Sequence, residues 1–218
     1  MTPLRFYTAR FLRNEEMLAT LSVPQTELLA AATGKSVALI GNARALADGQ
    51  QGAEIDGHDL VIRINLAPMP SAESHGTRTD WLGLATRLRR TERRRIDPAR
   101  ILWMSHKRKR LDWRSAHSPG FYLHPLADYE ALKSQLSAPP TTGAMLIELL
   151  LRSGLSRLDL YGFDFFASKS LSGGRSADQV PHDFTSEADW VDALMKQDTR
   201  LRLHPPGGAT EGQSPTAG

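Results

Sequence analysis

The sequence predicts an α/β fold built on a doubly wound, mainly parallel sheet in a single domain. Short apolar runs that end in glycine or a polar residue alternate with longer segments of helical character, as is typical of parallel strands joined by helices. The length of 218 residues fits one such domain, and a hydrophobic fraction of 40% is enough to fill its core. The sequence shows no internal repeat, so one sheet accounts for the pattern.

The N-terminal segment, residues 1–34, is predicted to form a helical lead-in to this domain. It is amphipathic and carries three arginines. Pro24 is expected to begin a short helix, because proline is favoured at helix starts, and Gly34 is expected to end it. The domain proper is therefore expected to begin at residue 35.

Six apolar runs are predicted to be the strands of the sheet. They are short and bounded by glycine or polar residues, as strands buried on both faces usually are. In chain order, the predicted strands are 36–41, 59–65, 80–84, 101–105, 121–124 and 158–162.

Two helices in the second half of the chain are predicted from their terminal signals. One covers 141–154, where two threonines can cap the N-terminus and a glycine follows the last turn. Ser186 with Asp189 resembles a capping box, which predicts a second helix from there to about Gln197.

Composition excludes several classes of protein. The chain has no cysteine, which excludes a disulfide scaffold and a thiolate metal site and favours a cytoplasmic location. No apolar run is long enough for a signal peptide or a membrane-spanning helix. Residues 205–218 are rich in Pro, Gly, Ser and Thr and are predicted to be a disordered tail, so the domain is expected to end at residue 204.

Positive charge is concentrated in one segment of the chain. The net charge is only +3, yet residues 87–114 hold twelve Lys or Arg against three acidic residues. Such a run is expected to be a solvated face, although it would also suit a polyanion or an anionic membrane surface. Among aromatic residues only Trp103 and Trp113 lie in the run, so nucleic acid is the less favoured partner.

Polar loops follow three of the predicted strands and define a candidate ligand site. Ligands of open parallel sheets bind at the carboxyl ends of strands, and the loops 41–44, 63–65 and 161–164 occupy such positions. Residues 141–143 open a helix, where free backbone N–H groups suit a phosphate. The residues alone therefore indicate a nucleotide site.

The common nucleotide and metal motifs are absent from the sequence. Gly41 is not followed by the glycine spacing of a dinucleotide-binding loop, and no Gly-Lys-Ser/Thr phosphate loop occurs. No Asp-x-Asp pair is present to hold a divalent ion, and the seven histidines show no metal-ligand spacing. We therefore expect neither a metal nor another cofactor.

Three blocks of the sequence share their pattern with a known enzyme family. Residues 37–65 read VALIGNARALADGQQGAEIDGHDLVIRIN, and residues 140–163 begin Pro-Thr-Thr-Gly and end Tyr-Gly-Phe. His182 and Glu187 are separated by four residues. In this order, the blocks resemble the large, small and very small sialyl motifs of glycosyltransferase family 29, the sialyltransferase family. The chain resembles a short bacterial-type member.

The resemblance implies a Rossmann-like, GT-A-type fold for residues 35–204 and an inverting, metal-independent transfer from a CMP-sugar to an acceptor hydroxyl. His182 would be the general base and Glu187 a supporting residue. Asn42 and Asn65 would hold the nucleotide and phosphate, the helix start at 141–143 would contact the ribose, phosphate or donor carboxylate, and Gly162 and Phe163 would line the cytidine pocket. The residues that the resemblance assigns to donor binding are Asn42, Ala43, Asn65, Thr141, Thr142, Gly143, Gly162 and Phe163.

The sequence departs from the family pattern at two places. Val37 and Leu155 stand where the family usually has a cysteine pair, and we expect apolar packing to replace the disulfide. The family's short His/Tyr-rich motif is missing between the small and very small motifs. Lys169 or Arg175 is expected to replace the phosphate contact that this motif would supply.

Several candidate residues have a second interpretation. His124, at a predicted strand end, is the rival general base. His58 is expected to make structural hydrogen bonds in a turn, and the nearby acidic residues Glu54, Asp56 and Asp59 are expected to do the same at the turn and strand start. Arg63 would either face the site or pair with a carboxylate.

The expected partners are a CMP-activated sugar acid and a glycan or lipopolysaccharide acceptor. CMP-sialic acid and CMP-Kdo share the carboxylate and the CMP group, so the sequence leaves both open as donors. The protein is expected to be cytoplasmic, with possible attachment to the inner face of the membrane through the basic run or residues 1–34. The competing hypotheses are an Arg-rich nucleic-acid-binding domain and a catalytically inactive CMP-binding relative.

Overall fold

The computed structural model of the protein describes residues 1–164 and 183–205, whose strands form one sheet. The strands are β1 (Ser36–Ile40), β2 (Leu60–Ile64), β3 (Trp81–Leu84), β4 (Arg100–Trp103), β5 (Tyr122–Leu123), β6 (Arg157–Tyr161) and β7 (Leu201–Leu203). The helices are α1 (Pro3–Leu12), α2 (Glu15–Ala19), α3 (Gln25–Ala32), α4 (Gly52–Asp56), α5 (Ala72–His75), α6 (Arg90–Ile96), α7 (Trp113–Ala116), α8 (Leu126–Leu136), α9 (Thr142–Leu151) and α10 (Phe184–Gln197). Short 3-10 helices cover Arg44–Asp48 and Arg108–Arg110.

The strands of the sheet are all parallel, in the spatial order β5-β4-β3-β2-β1-β6-β7. The chain adds β2 to β5 one after another on one side of β1, and then crosses to the other side for β6 and β7. The winding direction therefore changes between β1 and β6. This arrangement confirms the predicted doubly wound fold and puts the expected ligand crevice beyond the carboxyl ends of these two strands.

The central strands β1 and β6 are buried on both faces. Val37 pairs with Leu158, and both side chains pack in the larger core cluster together with α9. The neighbouring Ala38 and Tyr161 point to the opposite face, where they join a second cluster. Successive residues of a strand face opposite sides, so strands covered on both faces read as unbroken apolar runs.

Helix α9 packs closely against β3 at a glycine of the strand. A Cβ atom on Gly83 of β3 would lie 2.6 Å from Leu146 Cδ1 of α9, far inside van der Waals contact. Leu146 is itself fully buried. The close approach of helix and strand fixes α9, and hence the start of this helix, relative to the sheet.

The N-terminal helices pack onto the same sheet. Phe6, Ala9 and Leu18 of α1 and α2 are buried in a cluster with the side chains of β3, β4 and β5. Leu28 and Ala32 of α3 enter the larger cluster around β1 and α9. Within residues 1–164 and 183–205, none of the helices has the length and apolar character that crossing a bilayer requires.

The two positions at which the resemblance would place a cysteine pair are both in the apolar core. Val37 is fully buried and Leu155 is 2% exposed, and the two residues belong to the same cluster. Apolar packing therefore holds this part of the sheet, as the sequence predicted.

Two details of the second half of the chain differ from the prediction. β7 was not predicted, because three residues are too few to show a periodicity; its Leu201 pairs with Leu158 of β6. α10 begins at Phe184 and not at Ser186. The cap is Asp183, whose carboxylate accepts the backbone N–H of Ser186 at 3.0 Å, and so Ser186 is a donor to the cap and not the cap itself.

The basic run 87–114 is largely a solvated face, as expected, since nine of its twelve cations are exposed, but some of its arginines also make structural contacts. Arg108 is 3% exposed and forms an ion pair with Glu15 of α2 at 3.0 Å. Arg95 donates to two backbone carbonyls of the loop after β2. Arg100 stacks on the Trp81 ring at 5.3 Å. These cations tie loops and helices together, since a guanidinium can satisfy several carbonyl acceptors at once.

Candidate active site

The loops that follow β1 and β6 contact each other at the switch point of the sheet. Gly41 donates its backbone N–H to Tyr161 O at 2.7 Å, and Ala43 donates to Gly162 O at 3.1 Å. Gly162 has a φ of 65°, a left-handed conformation that favours glycine. The backbones of the two loops are thus joined side by side where parallel-sheet proteins bind ligands.

The close approach of these loops depends on the missing side chain of Gly41. A Cβ atom there would lie 2.2 Å from Gly162 O and 3.1 Å from the ring of Phe163. A Cβ atom on Gly143, at the start of α9, would lie 2.6 Å from the same ring. Phe163 is therefore held between the β1 loop and the first turn of α9, which brings together three of the segments predicted to bind the donor.

The first turn of α9 has backbone N–H groups available for an anion. Thr141 caps the helix, with its Oγ1 accepting the Ala144 N–H at 3.1 Å and its carbonyl accepting that of Met145. The N–H groups of Thr142 and Gly143 find no acceptor among residues 1–164 and 183–205. Unpaired N–H groups at a helix start attract negative charge.

Glu187 of α10 is bonded to the residue that caps α9. Its Oε1 accepts the Thr141 backbone N–H at 2.7 Å, and its Oε2 accepts the Thr141 hydroxyl at 2.8 Å. The side chain is buried, and this burial raises the pKa of Glu187 to about 7, against the opposing effect of the two hydrogen bonds. The sequence assigned Glu187 a supporting role but gave no sign that its partner would be Thr141.

Asn65 follows β2 and lies next to the β1 loop at the same edge of the sheet. Its φ of 52° is left-handed, a conformation that asparagine tolerates better than most residues. The side-chain carbonyl accepts the Ala85 N–H at 3.0 Å, and the Asn65 N–H donates to Gly83 O at 2.8 Å. Asn65 thereby joins the ends of β2 and β3. Asn42, in the β1 loop, is partly buried.

Arg63 is buried beneath this edge of the sheet. Its guanidinium donates to the carbonyls of Arg78 at 2.8 Å and His75 at 2.6 Å and to the hydroxyl of Thr79 at 3.1 Å. Burial lowers the pKa of Arg63 to about 10, and the charge of Asp56 opposes that shift. Arg63 is therefore a cation at neutral pH that organises the backbone before β3.

Three of the residues named from the sequence lie outside the described residues. His182, the expected general base, immediately precedes Asp183, with which the described chain resumes. Lys169 and Arg175, expected to replace a phosphate contact, fall within 165–182 as well.

The rival base, His124, is buried in the fold. Its side chain is 2% exposed, and neither ring nitrogen has a hydrogen-bond partner among the described residues. Burial lowers the pKa of His124 to about 4, so the ring is neutral and weakly basic at physiological pH. These features fit a packing role better than proton transfer.

The polar residues of the large motif make structural hydrogen bonds, as expected. Asp56 accepts the N–H groups of Thr77 and Arg78, and Asp59 accepts that of Ser36. His58 donates through Nδ1 to the Glu54 carbonyl at 2.9 Å.

His58 belongs to a buried ionic network that sequence reasoning missed. Its Nε2 donates to Asp159 Oδ2 at 3.0 Å, and His204 Nε2 donates to the other oxygen at 2.7 Å. Arg157 also bonds to Asp159. Hydrogen bonds from His58 and His204 hold the pKa of Asp159 far below its usual range, although burial acts in the opposite direction. The one available signal was an aspartate in the middle of an otherwise apolar strand.

Metal ligands are not gathered at this edge. Among residues 1–164 and 183–205, no group of three His, Asp or Glu side chains is placed to hold a metal ion.

Comparison with solved structures shows where this fold occurs. A mammalian sialyltransferase in complex with Gal-beta-1-3GalNAc-ortho-nitrophenol is similar with a TM-score of 0.61 at 18% identity, over 88% of this chain and 77% of that one. The sialyltransferase CstII from Campylobacter jejuni, in complex with cytidine-5'-monophosphate, is similar with a TM-score of 0.55 at 13% identity, over 81% of this chain and 82% of that one. At these identities the likeness concerns the fold.

The family to which the protein belongs is shown by its sequence. The sequence model of glycosyltransferase family 29 (sialyltransferase) matches residues 3–113, which is half of the 218 residues. This match includes the large motif, with the loops after β1 and β2. The protein is therefore a glycosyltransferase that belongs to family 29, the sialyltransferase family.

Proposed function

We propose that the protein transfers sialic acid from CMP-sialic acid to a hydroxyl of a glycan acceptor, with inversion and without a metal ion. The donor would bind at the switch point of the sheet, and His182 would act as general base. CMP-Kdo, which presents the same CMP group and a similar carboxylate, is the alternative donor, and lipopolysaccharide is one glycan acceptor to test.

One observation carries this proposal: Phe163 is held between the loop after β1 and the first turn of α9. An aromatic ring and a helix start are thereby placed side by side, and in this helix start the N–H groups of Thr142 and Gly143 have no acceptor among the described residues. A pyrimidine monophosphate needs both, a flat apolar surface for its base and donors for its phosphate. Asn42 and Ala43 are in the adjoining loop and would contact the nucleotide, and Asn65 would do so from the next strand.

The proposed chemical step is a single displacement. The acceptor oxygen bonds to the anomeric carbon of the sugar acid from the face opposite CMP, while the bond from that carbon to the phosphate oxygen breaks. The acceptor proton passes to His182, and CMP leaves with the bonding electrons. A histidine titrates near neutral pH, and such base catalysis contributes roughly 10²–10⁴-fold in rate.

Metal independence is consistent with the leaving group. CMP leaves as a phosphate monoester and develops less charge than a nucleoside diphosphate, so neutral donors can stabilise it. The N–H groups of Thr142 and Gly143 would supply this stabilisation, aided by the dipole of α9.

The proposal is tested by measuring CMP release in the presence of EDTA. CMP-sialic acid and CMP-Kdo are each incubated with the protein, with and without a panel of galactose-terminated and lipopolysaccharide-derived acceptors. We expect acceptor-dependent CMP release that EDTA does not lower. Release that requires added divalent metal would contradict the metal-independent step, and binding of CMP without any turnover would indicate an inactive relative.

The base assignment is tested with His182→Ala, and His117→Ala is the matched control because His117 is an exposed histidine in α7's C-cap position. We expect His182→Ala to lower kcat by about 10²-fold or more with the Kd for CMP unchanged. The control should keep full activity. Equal turnover in both variants would remove His182 from the mechanism.

A further inference from the structure

The exposed large apolar side chains are confined to one end of the chain. In the part of the chain that the structure describes, they all lie within the first 17 residues, on α1 and α2 and the residue that begins the chain. Leu4 is 78% exposed, Phe11 73% and Leu12 66%, and Tyr7 is also exposed. Single exposed apolar residues are ordinary, but a contiguous group of this size marks an interaction surface.

α1 presents apolar residues on two opposite sides. Phe6 and Ala9 face inward and are buried against the sheet. Leu4, Tyr7 and Phe11 are spaced by three and four residues and therefore follow one another along the outer side. The inward side already fixes the helix to the protein, so the outer stripe is a preformed surface.

Cations lie beside the aromatic residues of this outer stripe. The Arg10 guanidinium lies 4.9 Å from the centre of the Tyr7 ring, and the Lys109 ammonium lies 5.8 Å from that of the Phe11 ring. Arg5 and Arg13 are exposed at the two ends of the helix. α1 itself contains no acidic residue.

The basic loop beneath α1 extends the positive charge. α1 packs on the 3-10 helix Arg108–Arg110, and Arg10 donates to the Leu111 carbonyl at 2.8 Å. Arg87 bonds to the carbonyls of Lys109 and Arg110 and so adds its charge to the same place. Apolar side chains between cations are the composition of a helix that lies in a membrane interface.

The geometry points to an anionic phospholipid surface as the partner of this face. We propose that α1 lies in the plane of an acidic bilayer, with Leu4, Phe11 and Leu12 in the acyl boundary and Arg5, Arg13 and Lys109 at the lipid phosphates. Apolar insertion and attraction to anionic headgroups act together in this mode of binding.

A second copy of the chain fits this face less well. In a closed dimer the same patch would meet itself, so the arginines and Lys109 would oppose the same cations of the second copy, and α1 offers no acidic residue to pair with them. Nucleic acid would use the cations but not Leu4 and Leu12, which cannot stack on bases. An anionic lipid surface satisfies the charge and the apolar character together.

The position of the outer stripe of α1 also bears on where the acceptor would be. The loop with Arg108–Arg110 follows β4 and therefore lies at the carboxyl edge of the parallel sheet, the same edge as the loops after β1 and β6. Binding of α1 to a bilayer would thus bring the edge that carries the candidate donor site toward the lipid surface. Vesicle binding does not depend on catalysis and tests this face separately from the proposed function.

The test is flotation of the full chain with phosphatidylcholine vesicles, with and without about 30% phosphatidylglycerol. We expect binding to the anionic vesicles only, and weaker binding at about 0.5 M salt than at about 0.1 M. The variant Leu4→Ser, Phe11→Ser, Leu12→Ser should weaken binding by at least about tenfold with an unchanged melting temperature.

A charge variant keeps the test independent of the apolar substitutions. Arg5→Glu with Arg13→Glu should also abolish flotation, whereas the matched control Lys196→Glu with Arg202→Glu, on exposed residues of α10 and β7, should bind as the wild type does. The proposal is overturned if the wild type does not float, if the apolar variant floats equally, or if the control loses binding too. Self-association or RNA binding that the apolar variant abolishes, without vesicle binding, also overturns it.

Discussion

Single residues decide how closely the three donor-side segments approach one another. Gly41 and Gly143 leave room for the carbonyl of Gly162 and the ring of Phe163, and neither could carry a side chain without displacing a neighbour. The neighbours differ in kind. Gly41 meets a backbone carbonyl that is fixed by the sheet, while Gly143 meets a side chain that can rotate. A substitution at position 41 should therefore lower the stability of the fold, whereas one at position 143 should weaken ligand binding at the candidate site.

Gly143→Ala tests this distinction. Alanine is favoured over glycine in a helix by about 1 kcal/mol, so the free energy of unfolding should change by no more than about that amount. The added methyl would push the Phe163 ring aside, since its Cε1 lies 2.6 Å from the new Cβ. We expect the Kd for CMP to rise by about tenfold, measured by calorimetry, because one aromatic contact contributes about 1–3 kcal/mol.

A double-mutant cycle supplies the control for this prediction. If Gly143→Ala acts through the ring, it should weaken CMP binding no further in a Phe163→Ala background. Full additivity of the two losses would show that position 143 acts by another route, such as its backbone N–H.

Helices α9 and α10 are joined at their N-termini by a single carboxylate. Glu187 of α10 binds both the N–H and the hydroxyl of Thr141, the residue that caps α9. Asp183 in turn caps α10 and directly follows His182. The position of α9 thus depends on a side chain of α10. Burial of Glu187 makes the link sensitive to pH.

Glu187→Gln should change how stability depends on pH. The pKa of Glu187 is raised to about 7 in the folded protein, above its unfolded value of about 4.3, so the folded state holds the proton more tightly. The wild type should therefore lose about 2–3 kcal/mol of unfolding free energy relative to the variant as pH rises from about 4.3 to about 7. Urea unfolding across this range measures the difference.

Glu130→Gln is the matched control for that measurement, since Glu130 is an exposed glutamate of α8. Its stability difference from the wild type should stay nearly constant over the same pH range. A constant difference for Glu187→Gln as well would show that the carboxyl titrates at an ordinary pKa.

Across the whole molecule, one buried aspartate connects three distant parts of the chain. Asp159 of β6 binds His58, which precedes β2, and His204, which follows β7. His58 donates through both ring nitrogens, to Asp159 and to the Glu54 carbonyl. Burial disfavours the charged ring, but these bonds prevail and raise the pKa of His58. A charged pair is therefore enclosed in the fold.

Asp159→Asn should destabilise the protein by about 3 kcal/mol, because removing one charge of a buried pair leaves the other uncompensated. Because the pKa of Asp159 is lowered in the folded protein, its charge stabilises the fold above about pH 3.9, and this stabilisation is lost as pH falls. Because the pKa of His58 is raised in the folded protein, its charged ring stabilises the fold below about pH 6.5, and this stabilisation is lost as pH rises. The loss in the variant should thus be greatest between these values, measured by urea unfolding.

The cycle that adds His58→Gln separates the pair from other effects of the substitution. We expect Asp159→Asn to cost less in the His58→Gln background than in the wild type, by at least about 1 kcal/mol. An equal cost in both backgrounds would mean that His204 and Arg157 carry the interaction.

Local sequence patterns predicted the sheet well where a strand is long enough to show them. All six predicted strands occur, within one or two residues at most of their ends, because an apolar run bounded by polar residues is visible in the chain itself. β7 was missed since it gains its strand character from pairing with β6. The cap of α10 was misplaced because Ser186 and Asp183 are both good caps, and only the folded chain selects between them.

The parallel sheet, the polar loops at its carboxyl edge and the family were all predicted from the sequence, since periodicity and motif spacing are local properties. Which distant groups meet became known from the folded chain. Thr141 and Glu187 are 46 residues apart, and His58 and Asp159 are 101 residues apart. The outer stripe of α1 is likewise exposed because Phe6 and Ala9, on the opposite side of the helix, pack against the sheet. Such contacts arise from the packing of whole elements, which no local pattern records.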